Sequence, residues 1–133
     1  MHLSLRKPRL VLAILAFALP AAVSAEDKPK IALRYPSLTP DGKSVAFCYR
    51  GDVWIAPRDG SRRADRLTIH DAQDTLCRVS PDGKQIAFSS NRNGNYDIFV
   101  MSIDGGEPKQ ITFHSAVEIV CNWSRDGKKI LYI

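Results

Sequence analysis

His70 and His114, followed by Asp71 and Ser115, are the residues of this 133-residue sequence closest in type to catalytic groups. A histidine beside a hydroxyl or a carboxylate is the working part of many nucleophilic and general acid–base sites. The two histidines, however, stand in the same context, "LTIH" and "ITFH", 44 residues apart. A catalytic group serves one site, whereas a residue written twice answers a need that each unit has. Both are therefore expected to pin the exit of a strand through a side-chain hydrogen bond.

Asp52 in "GDVW" and Asp97 in "YDIF" recur in the same way. Paired carboxylates share acid–base work only where they converge, and equivalent places in successive units stand too far apart for that. Each is expected to accept backbone N–H bonds at the start of a strand. Asn91, Asn93, Asn95 and Asp97 alternate like calcium-loop ligands, but such a loop needs more carboxylates and a distal bidentate Glu. A hairpin turn is the expectation there. Cys48, Cys77 and Cys121 are an odd number without close Cys/His doublets, which suits buried small hydrophobes better than zinc. Cys77 and Cys121 occupy equivalent places, and a bridge between them would need Cα atoms within about 7 Å. No residue is assigned as catalytic, cofactor-binding or metal-ligating.

The elements behind these recurrences come from a threefold repeat. The pairs Asp41-Gly42, Asp82-Gly83 and Asp126-Gly127 are offset by 41 and 44 residues, the period of a four-stranded propeller blade. With them aligned, Leu38, Val79 and Trp123 fall three places before the Asp, and Val45, Ile86 and Ile130 four places after it. "TPDGK" and "SPDGK" are turns: Pro presets φ, Asp bonds nearby backbone and Gly accepts positive φ. "SVAFCY" and "QIAFSS" alternate larger residues with small ones. Such strands have one bulky and one shallow face, suited to sheets that stack bulky on shallow. First strands are read at "PSLT", "CRVS" and "CNWS", third strands at "DVWIAP" and "YDIFVMS", and fourth strands at "DRLTIH" and "KQITFH".

The fold expected is all-β: an incomplete β-propeller of about two and a half four-stranded blades. Blade 1 is placed at residues 35–72, blade 2 at 73–116 and the first half of blade 3 at 117–133, after a short linker at 26–34. Before these, Arg6, Lys7 and Arg9 precede the apolar run "LVLAILAFAL", then Pro20 and "AAVSA". A run of about ten residues is far below the roughly 20 that span a bilayer, so residues 1–25 read as a cleaved secretory signal. Its removal leaves 16 basic and 14 acidic side chains, too even a balance for nucleic acid, and no membrane insertion is expected afterwards.

With "TPDGKSVAF", "SPDGKQIAFSSNRNGNYDIFVMSIDGGEPKQIT" and "NWSRDGKKILY" laid out, the sequence resembles the WD40-like propeller repeats of TolB and of the N-terminal part of tricorn-type proteases. The direct passage from "EDKPKIALRYPSL" to the first blade is more similar to the exported tricorn-like peptidases, since TolB-like proteins carry an α/β domain in between. That resemblance implies a non-catalytic propeller that guides or filters peptides toward a serine protease domain elsewhere in a parent chain. It departs from the repeat at Arg125, where Pro is usual, and at Val79, where Trp is.

Partners are expected to be peptides or proteins, the remainder of the parent chain included. The place is expected to be periplasmic or extracellular. The alternatives are a TolB-like periplasmic interaction propeller and a small protein that assembles into a ring. In propellers the first strands line the central channel, so Arg34, Arg78 and Asn122 beside them are the candidates for a ligand-facing surface. Asp41, Gly42, Asp82, Gly83, Asp126 and Gly127 are read as turn builders, and "KILYI" as an unpaired strand ending an N-terminal piece of something longer.

Overall fold

The computed structural model describes residues 32–133; the signal segment and most of the linker read from the sequence lie outside them. Ten strands follow in order: β1 Arg34–Leu38, β2 Ser44–Tyr49, β3 Asp52–Pro57, β4 Asp65–Arg66, β5 Asp74–Val79, β6 Gln85–Ser90, β7 Asp97–Ser102, β8 Lys109–Gln110, β9 Val120–Trp123 and β10 Ile130–Tyr132. They form two four-stranded sheets, β1-β2-β3-β4 and β5-β6-β7-β8, and a two-stranded sheet of β9 and β10. All pairings are antiparallel. The architecture is an open, all-β run of propeller blades with no helix among the described residues.

One hairpin design joins the first two strands of every blade. Gly42 donates its N–H to the Thr39 carbonyl at 2.8 Å, Gly83 to Ser80 at 2.9 Å, and Gly127 to Ser124 at 2.9 Å. Their φ values are 69°, 73° and 70°, the left-handed region that a Cβ penalises. Inside each turn the Thr39, Ser80 or Ser124 hydroxyl donates to the Asp41, Asp82 or Asp126 carboxylate at 2.6 Å. The same carboxylates accept the N–H of Lys43, Lys84 and Lys128 at 3.0 to 3.1 Å. Successive turns also stack. A Cβ added at Gly83 would lie 3.2 Å from the Pro40 ring, and one at Gly127 3.7 Å from that of Pro81.

Between blades, the shallow face of one sheet meets the bulky face of the next. Ala46, Cys48 and Val53 of the first sheet pack with Ile86, Phe88, Phe99 and Met101 of the second, joined by Cys77. Ala87 and Ile98, on the opposite face of the second sheet, pack with Val120, Trp123 and Ile130. Burying each of the larger side chains contributes about 1.5–3 kcal/mol. Small residues on one side let the neighbouring sheet approach.

Two features differ from the strand reading. The fourth strands are two residues long, because the Thr68 and Thr112 hydroxyls take the N–H groups of Val53 and Ile98, both at 2.9 Å, in place of ladder partners. The first strands of blades 1 and 2 begin earlier than read and carry bulges, with Tyr35 and Leu76 in the left-handed region at φ 55° and 52°.

Candidate functional site: the inner strands and the blade junctions

The inner strands β1, β5 and β9 lie side by side. Val79 N–H donates to Ser37 Oγ at 3.0 Å, and Trp123 Nε1 to the Arg78 carbonyl at 2.9 Å. Arg34 opens β1 and is exposed, as is Asn122 on β9. Asn122 Oδ1 accepts the N–H of Trp123 at 2.9 Å. Arg78 is half-buried, and its guanidinium donates to the carbonyls of Cys121 and Cys77 at 3.0 and 2.9 Å. It clamps one inner strand to the next, while Arg34 and Asn122 stand on the exposed surface. In the repeat register Arg78 corresponds to Asn122 and Ser37, and Arg34 to Thr75.

The residues of catalytic type are occupied in repeating structural contacts. Nδ1 of His70 accepts the N–H of Ala72 at 3.0 Å, and Nδ1 of His114 that of Ala116 at 3.1 Å. Both imidazoles close a small turn at the exit of a blade. The asparagines diverge: Asn91 Oδ1 accepts Gln73 N–H, Asn93 Nδ2 donates to Gln110 Oε1, and Asn95 Nδ2 donates to the His114 and Ala116 carbonyls. They brace a turn and the following link.

Asp52 and Asp97 differ from expectation, since their partners are side chains of the fourth strand and not backbone N–H groups. Arg66 Nη2 lies 2.7 Å from Asp52 Oδ2, and Gln110 Nε2 donates to Asp97 Oδ2 at 3.1 Å. Arg66 and Gln110 correspond, each opposite the aromatic residue two places after its Asp. The physical reason is placement: both carboxylates are buried at the start of β3 and β7, where the fourth strand supplies the nearest donor. Neutral Gln110 leaves Asp97 uncompensated. Burial, and secondly the charge of Glu118, push its carboxyl above the ordinary carboxylate range. In the hairpin turns the opposite holds: the hydroxyl donors first, and then the backbone N–H groups, lower the Asp41, Asp82 and Asp126 carboxyls.

The sequence reading missed a buried ion pair. Arg92 Nη2 stands 3.0 Å from both carboxylate oxygens of Asp74, whose side chain is fully buried while that of Arg92 is 11% exposed. The guanidinium also lies over the rings of Phe99 and Phe88, at 4.7 and 5.6 Å. Eighteen residues separate the partners, so only the recurrence of an acid at 74 and 118 hints at a buried charge. The thiols of Cys48, Cys77 and Cys121 are free. The neighbouring Cys48 thiol, and secondly burial, push the Cys77 thiol up.

Residues 30–133 match the family model described as the Tricorn protease N-terminal beta propeller domain. The chain belongs to this family. Among individual relatives of the tricorn propeller, Tricorn protease homolog 1 of Streptomyces coelicolor is 39% identical over 79 residues, which is 59% of this chain and 7% of that protein. The Tol-Pal system protein TolB of Bordetella pertussis is 33% identical over 55 residues, 41% of this chain and 13% of that one. A TolB-type structure from Agrobacterium tumefaciens superposes with a TM-score of 0.66 at 26% identity, covering 77% of this chain and 38% of its own. The crystal structure of the tricorn protease gives 0.63 at 22% identity, covering 73% and 10%; at that identity the likeness is one of fold. The chain thus spans between 7% and 38% of the length of these relatives.

Proposed function

We propose that this tricorn-type propeller region is a non-catalytic module of an exported peptidase, guiding or filtering peptides toward a protease domain elsewhere in the parent protein. The observation that carries the reading is the family membership over residues 30–133, combined with the structural employment of His70 and His114. The exposed polar groups of Arg34 and Asn122 on the inner strands would meet the passing peptide, through its carbonyls and C-terminal carboxylate. Export rests on the basic-then-apolar segment of residues 1–25.

Photo-crosslinking of the purified chain with unstructured peptides tests this. The expected outcome is labelling on β1 and β9, reduced when Arg34 and Asn122 are changed to Ala, with every peptide recovered uncut. Cleavage that disappears in His114→Ala or Ser115→Ala would overturn it. A second reading, a TolB-like periplasmic propeller that binds folded proteins, is favoured by the superposition on the TolB-type structure. It predicts that folded partners and not extended peptides protect the chain from crosslinking.

A further inference from the structure

Cys48 and Cys77 belong to different sheets and meet in one core. Both lie in the apolar cluster that closes the junction between blades 1 and 2, where they are 5% and 0% exposed. They stand 29 places apart in the chain.

The fold brings the two sulfurs together from both sides. Cys48 stands opposite Arg34 in the pairing of β1 and β2. Cys77 Sγ donates to the carbonyl of Tyr35, the next residue of β1, at 3.4 Å, where both inner strands carry their bulges. The second junction shows how far a side chain at the place of Cys48 extends. There Ser89, its counterpart, accepts the N–H of Val120 at 2.9 Å, and Val120 immediately precedes Cys121, the counterpart of Cys77. The same register sets Cys48 Sγ against the backbone of Leu76, beside Cys77. The thiols also influence one another, Cys48 being the largest cause of the raised Cys77 thiol.

Among the described residues this pair occurs at the first junction alone. Pro36 fills the place of Cys77 in blade 1, and Ser89 that of Cys48 in blade 2. The second junction therefore has one thiol and one hydroxyl, and its Cys121 Sγ turns to the Ile119 carbonyl at 3.8 Å. A need shared by every blade explains the histidines and the turn aspartates, but it does not explain two thiols at one junction.

We propose that Cys48 and Cys77 are an oxidisable pair, which a small disulfide of the glutathione class converts to a bridge stapling blade 1 to blade 2. The less buried Cys48, as thiolate, attacks one sulfur of the oxidant and expels a thiolate, leaving a mixed disulfide. The Cys77 thiolate then attacks the Cys48 sulfur and expels the second. One small disulfide is reduced to two thiols, which take up the two protons that the cysteines lose. The bridge ties β2 to β5 beside Arg34 and Arg78, and so fixes the spacing of the inner strands. It needs an oxidant and no peptide, so it stands or falls apart from the guiding role; export would bring the chain to a compartment that holds such oxidants.

The test is equilibration of the full chain, at low concentration, with mixtures of reduced and oxidised glutathione, followed by alkylation and non-reducing peptide mapping. It is repeated in urea just below the unfolding transition, where burial limits access less. The expected product has Cys48 bridged to Cys77 and Cys121 alkylated, with a thermal midpoint about 10 °C above that of the reduced chain. Cys48→Ser, which copies the second junction, should lose that rise, and Cys121→Ser should keep it. A bridge through Cys121, glutathione adducts without an internal bridge, both buried thiols still reduced in urea, or a bridge that lowers the midpoint would each overturn the proposal.

Discussion

The same carboxylic acid has opposite effects at different places in this molecule. In the hairpin turns Asp82 is exposed, receives a hydroxyl and a backbone N–H, and its ionised form is favoured. Asp97 is buried beside Glu118, and its ionised form is disfavoured. A carboxyl raised in the folded state binds its proton more tightly there than in the unfolded chain, so stability falls as pH rises from the ordinary value through the raised one. Asp97→Asn keeps an acceptor for Gln110 and should raise the thermal midpoint by a few degrees at pH 7. The gain should vanish below the ordinary carboxyl value of 3.8, a comparison that two calorimetric series at different pH would make. Glycine at the turns is open to a similar contrast. Gly60 and Gly83 both have φ near 70°, but only at Gly83 would a Cβ meet a neighbour, the Pro40 ring at 3.2 Å. Gly60→Ala should cost about 1 kcal/mol for the backbone alone, and Gly83→Ala about 2 kcal/mol or more; denaturant midpoints of the two variants measure the difference.

At the scale of the element, the link between β6 and β7 acts as a strap. Arg92 within it reaches back to Asp74 at the start of β5 and covers the stacked rings of Phe88 and Phe99, whose centroids are 6.0 Å apart. Arg92→Gln should lower stability by about 3 kcal/mol, because it strands a buried carboxylate. Adding Asp74→Asn to that variant should restore part of the loss, and a double-mutant cycle in urea would show it. Legibility in the sequence divides along the same lines. The second strands, Ser44–Tyr49 and Gln85–Ser90, were readable to the residue because alternation and a Pro-Asp-Gly turn mark them locally. The fourth strands were overestimated because a threonine hydroxyl that replaces a ladder bond is invisible in a pattern of apolar residues. The bulges at Tyr35 and Leu76 leave no signature, since neither residue type favours positive φ. The Arg92–Asp74 pair and the acidic second junction depend on contacts between distant positions, which become visible only once the repeat register is laid over the folded sheets.

For the molecule as a whole, successive sheets are both core and surface for one another. The second sheet has neighbours on both faces; the β9–β10 sheet leaves Leu131, Tyr132 and Ile133 exposed at 64%, 44% and 79%. An exposed apolar strand edge is a template for pairing with another chain. The purified chain is therefore expected to associate as its concentration rises, and Leu131→Lys with Ile133→Lys to suppress this, as sedimentation velocity over a hundredfold dilution range would record. Retention of the association in the double lysine variant would place the contact elsewhere.

The stack of turns sets how such an array can grow. The second and third hairpin glycines rest on the proline of the preceding hairpin, Gly83 on Pro40 and Gly127 on Pro81, so each of these turns is spaced by the one before it. A unit of this kind can be duplicated whole, because the proline on which the next turn rests travels with the copy. In the third turn Arg125 stands where the first two have proline. A following turn would settle there against a long, charged and adjustable side chain, and the fixed gauge that spaces the first three turns would give way to one with play.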